Sequence, residues 1–210
     1  MVGSPVPQLE FLRLRFEIAG DSFREELDGG NDPEATTGRA LASVAVGLTP
    51  WSELYARLGM AEFNIKAFGF NGDFGLAYGG GLRLRLARFP IGSLGLSGQY
   101  LRFTSNDKDS AGERLEGEWE EIDAVLGFGT KQFGAFQFYL AAAYHVSDIT
   151  VEPADHGNQT TFDAELPYRA ILGVNLFPLV DFPHNEFLVN FELRFIGETP
   201  QFTLGVQYAF

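Results

Sequence analysis

Thr203-Leu204-Gly205-Val206-Gln207-Tyr208-Ala209-Phe210 closes the sequence, and its alternation decides how the chain folds. Phe202, Leu204, Val206, Tyr208 and Phe210 fall on one face of a strand, and Thr203, Gly205, Gln207 and Ala209 on the other. One face is wholly apolar and the other is small or polar. Such a strand separates an apolar medium from a polar one.

The same two-residue period recurs upstream and gives ten strands in all. The first covers about 9–19, with Leu12, Leu14, Phe16 and Ile18 against Arg13, Arg15 and Glu17. The second, about 38–48, turns Ala40, Ala42, Val44, Val46 and Leu48 outward. The third, about 53–63, presents Leu54, Ala56, Leu58 and Met60. The fourth, about 73–87, sets Phe74, Leu76, Tyr78, Leu82, Leu84 and Leu86 against Gly79, Gly81, Arg83 and Arg85. The fifth is about 92–103, with Leu94, Leu96 and Tyr100 outward. The sixth, about 119–130, sets Ile122, Ala124, Leu126 and Phe128 against Glu121, Asp123, Gly127 and Gly129. The seventh, about 135–151, presents Phe136, Phe138, Leu140, Ala142, Tyr144 and Val146. The eighth is about 162–177, where Pro167 predicts a bulge or a late start. The ninth, about 186–196, sets Phe187, Val189, Phe191, Leu193 and Phe195 against Asn190, Glu192 and Arg194.

The connections alternate in kind. Thr49–Ser52, Arg88–Ile91 and Lys131–Gly134 are short, and Pro178–Asn185 is longer but holds two prolines. The connections at 20–37, 104–120 and 152–162 are long and polar, while Gly197–Pro200 is a short exception on their side. Acid concentrates in the long ones. Residues 20–37 carry Asp21, Glu25, Glu26, Asp28, Asp32 and Glu34 against Arg24 alone, and 105–121 carry seven acids against Lys108 and Arg114. These segments supply most of the net charge of -13. No basic stripe pairs with phosphates, so nucleic acid is not an expected partner.

At 210 residues and 45% hydrophobic content the chain has a mean hydropathy near zero. No stretch approaches the roughly 18 apolar residues of a spanning helix. Alternation hides apolar residues from averaged hydropathy, so this composition is the one a closed membrane barrel needs. The chain has no cysteine, which removes disulfides, thiolate metal ligands and Cys nucleophiles. Residues 1–7 have neither the basic start nor the apolar core of a signal peptide, so the expectation is a mature form with an added start Met.

On these strands and on the terminal octapeptide the chain resembles small bacterial outer-membrane β-barrel proteins. The resemblance implies an all-β, antiparallel up-and-down transmembrane barrel of about ten strands over 9–210, preceded by a periplasmic extension at 1–8. It implies an outer-membrane location with both termini periplasmic, and contact with outer-membrane lipids and lipopolysaccharide. It also implies that the barrel assembly machinery reads Thr203, Gly205, Tyr208 and Phe210 as an assembly signal. A soluble lipocalin-like barrel is the alternative, and it would place the arginine-rich face outside.

The inward face carries Arg13, Arg15, Arg57, Arg83, Arg85, Arg169 and Arg194 with Glu17, Glu121, Asp123 and Glu192. Buried charges must pair or be hydrated. This set therefore predicts either a salt-bridged filling of the lumen or the lining of a narrow, anion-favouring channel. Inward Gly59, Gly79, Gly81, Gly95, Gly127 and Gly173 leave room for long arginine side chains in this reading. On the outward face Arg102 is the one apparent charge, reaching the outer interface or a lipopolysaccharide phosphate. Trp51, Phe89, Phe177 and Phe187 at one end, and Tyr100 and Tyr144 towards the other, read as interfacial girdles.

The leading functional expectation is a non-enzymatic barrel, structural or a narrow channel, with a charged lumen and acidic outer loops. Surface recognition or adhesion through those loops is the second reading. The third is an outer-membrane lipid-modifying hydrolase. His145-Val146-Ser147 is similar to the His-x-Ser pair of lipid A deacylases, with Glu152 or Glu165 as the acid, but parity points both side chains into the lumen. His156 beside Asp155 invites comparison with the Asp/His site of outer-membrane aspartyl proteases, which needs further acids converging at the rim and is a nonspecific signal among so many loop acids; the turn residue His184 reads as bland. No cofactor is expected, and the acidic loops lack EF-hand spacing for a metal.

Overall fold

The computed structural model describes residues 4–9, 11–28, 33–108, 114–153, 160–163, 167–178, 186–196 and 199–210. Twelve strands follow one another: β1 Leu14–Glu26, β2 Glu34–Thr49, β3 Ser52–Ile65, β4 Phe70–Asn71, β5 Gly75–Phe89 and β6 Gly92–Lys108, then β7 Arg114–Thr130, β8 Phe136–Pro153, β9 Thr160–Asp163, β10 Tyr168–Leu176, β11 Glu186–Ile196 and β12 Thr199–Ala209. A single 3-10 turn, Lys66–Phe68, joins β3 to the two-residue β4, which pairs only with β3. β9 and β10 both lie against β8 and together make one stave. Ten staves therefore close antiparallel into a barrel. The seam joins β1 to β12 in a register running from Arg15 opposite Ala209 to Ser22 opposite Phe202.

Parity is as the alternation requires. Ile18, Leu58, Leu76, Ile122, Leu140 and Phe202 are exposed on the outer wall, while their chain neighbours are buried inside. The outward positions at strand centres hold no charge, so a continuous apolar belt surrounds the barrel. All backbone polar groups of the belt are paired between strands, the only sheet arrangement that tolerates hydrocarbon. The soluble, inside-out alternative fails here, because the arginine-rich face is the inner one.

The structure corrects three expectations and meets a fourth. The first strand begins at Leu14, not near 9, and continues to Glu26, so Asp21 and Glu25 leave the acidic loop and turn inward. The 104–120 connection is likewise mostly strand, since β6 runs to Lys108 and β7 starts at Arg114. The late start expected at Pro167 is met, since β10 begins at Tyr168; residues 164–166 lie outside the described ones. The inward glycines serve close packing more than arginine reach. A Cβ on Gly173 would sit within the Tyr139 ring, and one on Gly127 would lie 2.7 Å from Pro5 Cγ.

Pro5 is there because the segment Ser4–Leu9, part of the expected extension, enters the barrel mouth at the short-turn end and is largely buried. The chain then reverses through Leu12, whose φ of 60° is left-handed. That geometry costs an L-residue roughly 1–2 kcal/mol.

Leu140 lies in the middle of the β8 belt segment from Phe136 to Val146. Leu140→Arg is expected to destabilise the barrel by about 2–4 kcal/mol, measured as a shift in urea unfolding of the protein folded into liposomes.

Candidate functional site

Ionisable side chains converge in the lumen, which is stratified. Towards the long-connection end it is apolar. Trp119 from β7 is fully buried and stacks on Phe103 of β6 at 5.5 Å. Phe63 of β3 meets the same indole edge-on at 5.6 Å, and Phe23 of β1 at 5.9 Å. Phe70 stacks on Phe63 at 4.9 Å. Leu101, Ile149 and Phe162 complete the cluster. Rings from β1, β3, β6 and β7 thus touch across the axis, so the layer spans the lumen. Each fully buried side chain of this kind contributes roughly 1.5–3 kcal/mol.

Below it lies an ionic layer built on Arg39. Its Nε and Nη2 donate to the two carboxylate oxygens of Asp21 at 2.7 and 3.0 Å, and its Nη1 donates to Glu121 Oε2 at 2.8 Å. The guanidinium also sits 4.5 Å from the centre of the Phe23 ring, tying the ionic layer to the aromatic one. A second chain of contacts crosses from β10 to β3. Arg169 Nη2 donates to Glu25 Oε1 at 2.7 Å, and the same oxygen lies 3.1 Å from His145 Nε2. His145 Nδ1 is 2.6 Å from Asp123 Oδ1. Gln99 Nε2 donates to Asp123 Oδ2 at 2.5 Å, and Gln99 Oε1 accepts from Arg57 Nη1 at 2.9 Å and from the Tyr55 hydroxyl at 3.3 Å.

Nearer the short-turn end, Arg15 and Arg83 both donate to Glu53 Oε1. The Tyr55 ring lies beneath Arg57 and Arg83. Opposite, Arg194 Nε donates to Glu192 Oε1 at 2.7 Å, and the Tyr139 hydroxyl donates to Glu192 Oε2 at 2.8 Å.

Every charged residue expected in the lumen is inward, though two are peripheral. Arg13 is half-buried beside the mouth, and Arg85 reaches the carbonyls of Pro50 and Pro7 there. Arg15, Glu17, Arg57, Arg83, Glu121, Asp123, Arg169, Glu192 and Arg194 are all buried. The charge list from parity omitted Arg39, Asp21, Glu25 and Glu53. The signal for Arg39 and Glu53 was present, since each precedes an outward residue, Ala40 and Leu54. Asp21 and Glu25 continue the odd-numbered inward series of Arg15, Glu17 and Ala19, and only the assumed strand end concealed them.

The hydrolase constellation does not assemble. Ser147 Oγ points to Glu25 at 3.4 Å rather than to His145, and both residues are sealed inside the lumen. Glu152 is exposed at the far end of β8. Glu165, Asp155, His156 and His184 lie outside the described residues. Among the described residues no group of His, Asp or Glu is arranged to hold a metal ion.

Outside the barrel, the acids beyond the belt form a ridge on β7 and β8. Arg102 pairs with Glu118 at 2.6 Å and with Glu120 at 3.3 Å, so its partners are carboxylates of the next strand. Asp148 stands opposite Glu120 and Asp163; partial burial and the facing Asp163 carboxyl raise its pKa above the usual aspartate range.

No protein family and no curated protein matches this sequence. Solved structures do. The translocator domain of the autotransporter NalP from Neisseria meningitidis is similar at TM-score 0.54 and 13% identity, over 98% of this chain and 90% of that one. The outer membrane protease OmpT from Escherichia coli is similar at TM-score 0.46 and 11% identity, over 98% and 97%. The transport unit of the autotransporter AIDA-I from Escherichia coli is similar at 0.47 and 9%, over 96% and 90%. At these identities the likeness is one of fold: the chain has the fold of outer-membrane β-barrels.

Arg39 holds two buried carboxylates, so its loss leaves both uncompensated. Arg39→Met is expected to cost about 3–5 kcal/mol, and adding Asp21→Asn and Glu121→Gln should restore much of that. Urea unfolding of the single and triple variants checks this.

Proposed function

We propose that this chain is a non-enzymatic structural barrel of the bacterial outer membrane, non-conducting as folded. The single observation that carries this reading is the aromatic layer. Trp119 touches Phe23, Phe63 and Phe103 from three other strands, so rings from opposite staves meet across the axis. A ten-stranded barrel has more interior than an eight-stranded one. Here aromatic rings enter the lumen at one end and Ser4–Leu9 at the other, with ion pairs between.

The outer-membrane location is supported by the apolar belt and by the closed sheet. In this reading the short-turn end and both ends of the chain face the periplasm, as in barrels with short periplasmic turns. Exposed Trp51 and Phe89, with half-buried Phe177 and Phe187, sit at the periplasmic interface. Lipid and lipopolysaccharide surround the belt. The assembly machinery reads Thr203, Gly205, Tyr208 and Phe210, of which Tyr208 and Phe210 face outward. The non-enzymatic reading is supported by the burial and separation of His145 and Ser147.

A second reading, surface recognition, is favoured by the exposed acids of β7 and β8. Glu116, Glu118, Glu120, Asp148 and Glu152 continue the outer wall beyond the belt, where a partner in solution can reach them.

Planar-bilayer recording of the refolded, heat-modifiable protein tests the sealed reading. The wild type is expected to be silent. Trp119→Ala combined with Phe103→Ala should give discrete conductance steps, at a stability cost of about 3–5 kcal/mol per site. Steps in the wild type would reinstate the narrow channel, with Arg57 and Arg169 as its lining.

A further inference from the structure

The segment Ser4–Leu9 is buried in the barrel mouth but is not a stave. Pro5 and Pro7 lack the N–H that a ladder needs, and no described strand pairs with the segment. Side chains of two staves read its main chain instead. Glu53 Oε2 accepts from the N–H of Gln8 at 3.3 Å and of Leu9 at 3.4 Å. Arg85 Nη2 donates to the Pro7 carbonyl at 2.6 Å. Across the mouth, three glycines form the seat. A Cβ on Gly95 would lie 2.8 Å from the Pro5 carbonyl oxygen, one on Gly127 2.7 Å from Pro5 Cγ, and one on Gly129 3.1 Å from Ser4 Oγ. Hydrogen is the only side chain that leaves this groove open at Gly95 and Gly127. The segment bends at Pro5 and Val6, and the wall is therefore shaped to a bent, proline-containing peptide whose backbone it grips at both polarities.

Two observations bear on how firmly the segment is held. The turn into β1 runs through Leu12 in the left-handed region, which strains an L-residue. Beside the segment lies a cavity of about 810 Å³, bordered by Val6, Pro7 and Gln8 on one side and by Arg85, Lys131 and Gln137 on the other. Strain at the hinge and space beside the seat both favour exit, and exit breaks no rung of the barrel.

We infer that Ser4–Leu9 is a displaceable stopper, occupying in cis a lumenal site for a bent, proline-containing peptide. Release of the stopper opens a vestibule at the short-turn mouth, which is blind in the sealed-barrel reading; whether the stopper leaves its seat is read out separately from that reading.

The chain has no cysteine, so one introduced thiol reports cleanly. The full chain carrying Ser4→Cys is refolded, checked for heat-modifiable migration and labelled with a charged maleimide. Ala143→Cys, buried deeper in the lumen, reports opening of the barrel itself. The thiol at position 4 is expected to react roughly tenfold faster or more than that at 143, as local opening does relative to global opening. Excess synthetic peptide Ser-Pro-Val-Pro-Gln-Leu should raise the position 4 rate severalfold and saturably, while the same peptide with alanine for both prolines should not. Adding Gly95→Ala, whose Cβ would meet Pro5 and Val6 of the segment first, should raise the basal rate and remove the peptide effect. Equal rates at the two positions, or a position 4 rate that the peptide does not change, would overturn the inference. Val6→Cys repeats the measurement if Ser4→Cys does not fold.

Discussion

Backbone hydrogen bonding without water is the constraint on which this structure rests. A strand in hydrocarbon must pair on both edges, so the sheet has to close, and β1 has to find β12. Closure then fixes everything else about a side chain by parity. Odd residues of β1 point inward because even ones meet lipid, and the Arg15 to Ala209 register carries that choice across the seam. Glycines and bulges absorb the curvature, as where the β5–β6 register shifts between Arg85 and Ala87.

The lumen inherits a problem from this arrangement. A wall that keeps its apolar side for lipid turns its charged side inward, where desolvation is costly. The chain answers with paired charges and shared partners. Arg39 serves two acids, Glu53 serves two arginines, and Gln99 links Asp123 to Arg57. Buried pairs of this sort add little net stability over an apolar filling, but they punish the loss of one member. The aromatic layer beyond them is the apolar filling. It lies towards the long-connection end, where the inward positions change from charged to aromatic along β3 and β7 and from polar to aromatic along β6.

Much of the fold could be read from alternation alone. The outward sets from Leu54 to Met60, Ile122 to Phe128 and Phe187 to Phe195 are the outer wall of the barrel. Strand ends were less legible, because polar alternation looks like loop. Asp21 and Glu25 read as loop acids until β1 was seen to continue past Ala19. The candidate site was half legible for the same reason: inward charge followed from parity, but which charges meet depends on stagger between strands distant in sequence. His145 and Ser147, two residues apart on one face, look like a catalytic pair in sequence, yet each turns to a carboxylate on another strand.

The sequence by itself determined the all-β class, the ten-stave count and the apolar outer wall, because a period of two residues is a local property. Only the tertiary structure decided which side chains meet inside the barrel. Trp119, Phe103, Phe63 and Phe23 lie far apart in sequence, and nothing local says that their rings converge. The seat of Ser4–Leu9 depends on Glu53, Arg85, Gly95 and Gly127, four residues on four strands. Closure brings them to one mouth, and closure is a property of the whole sheet, which no single strand encodes.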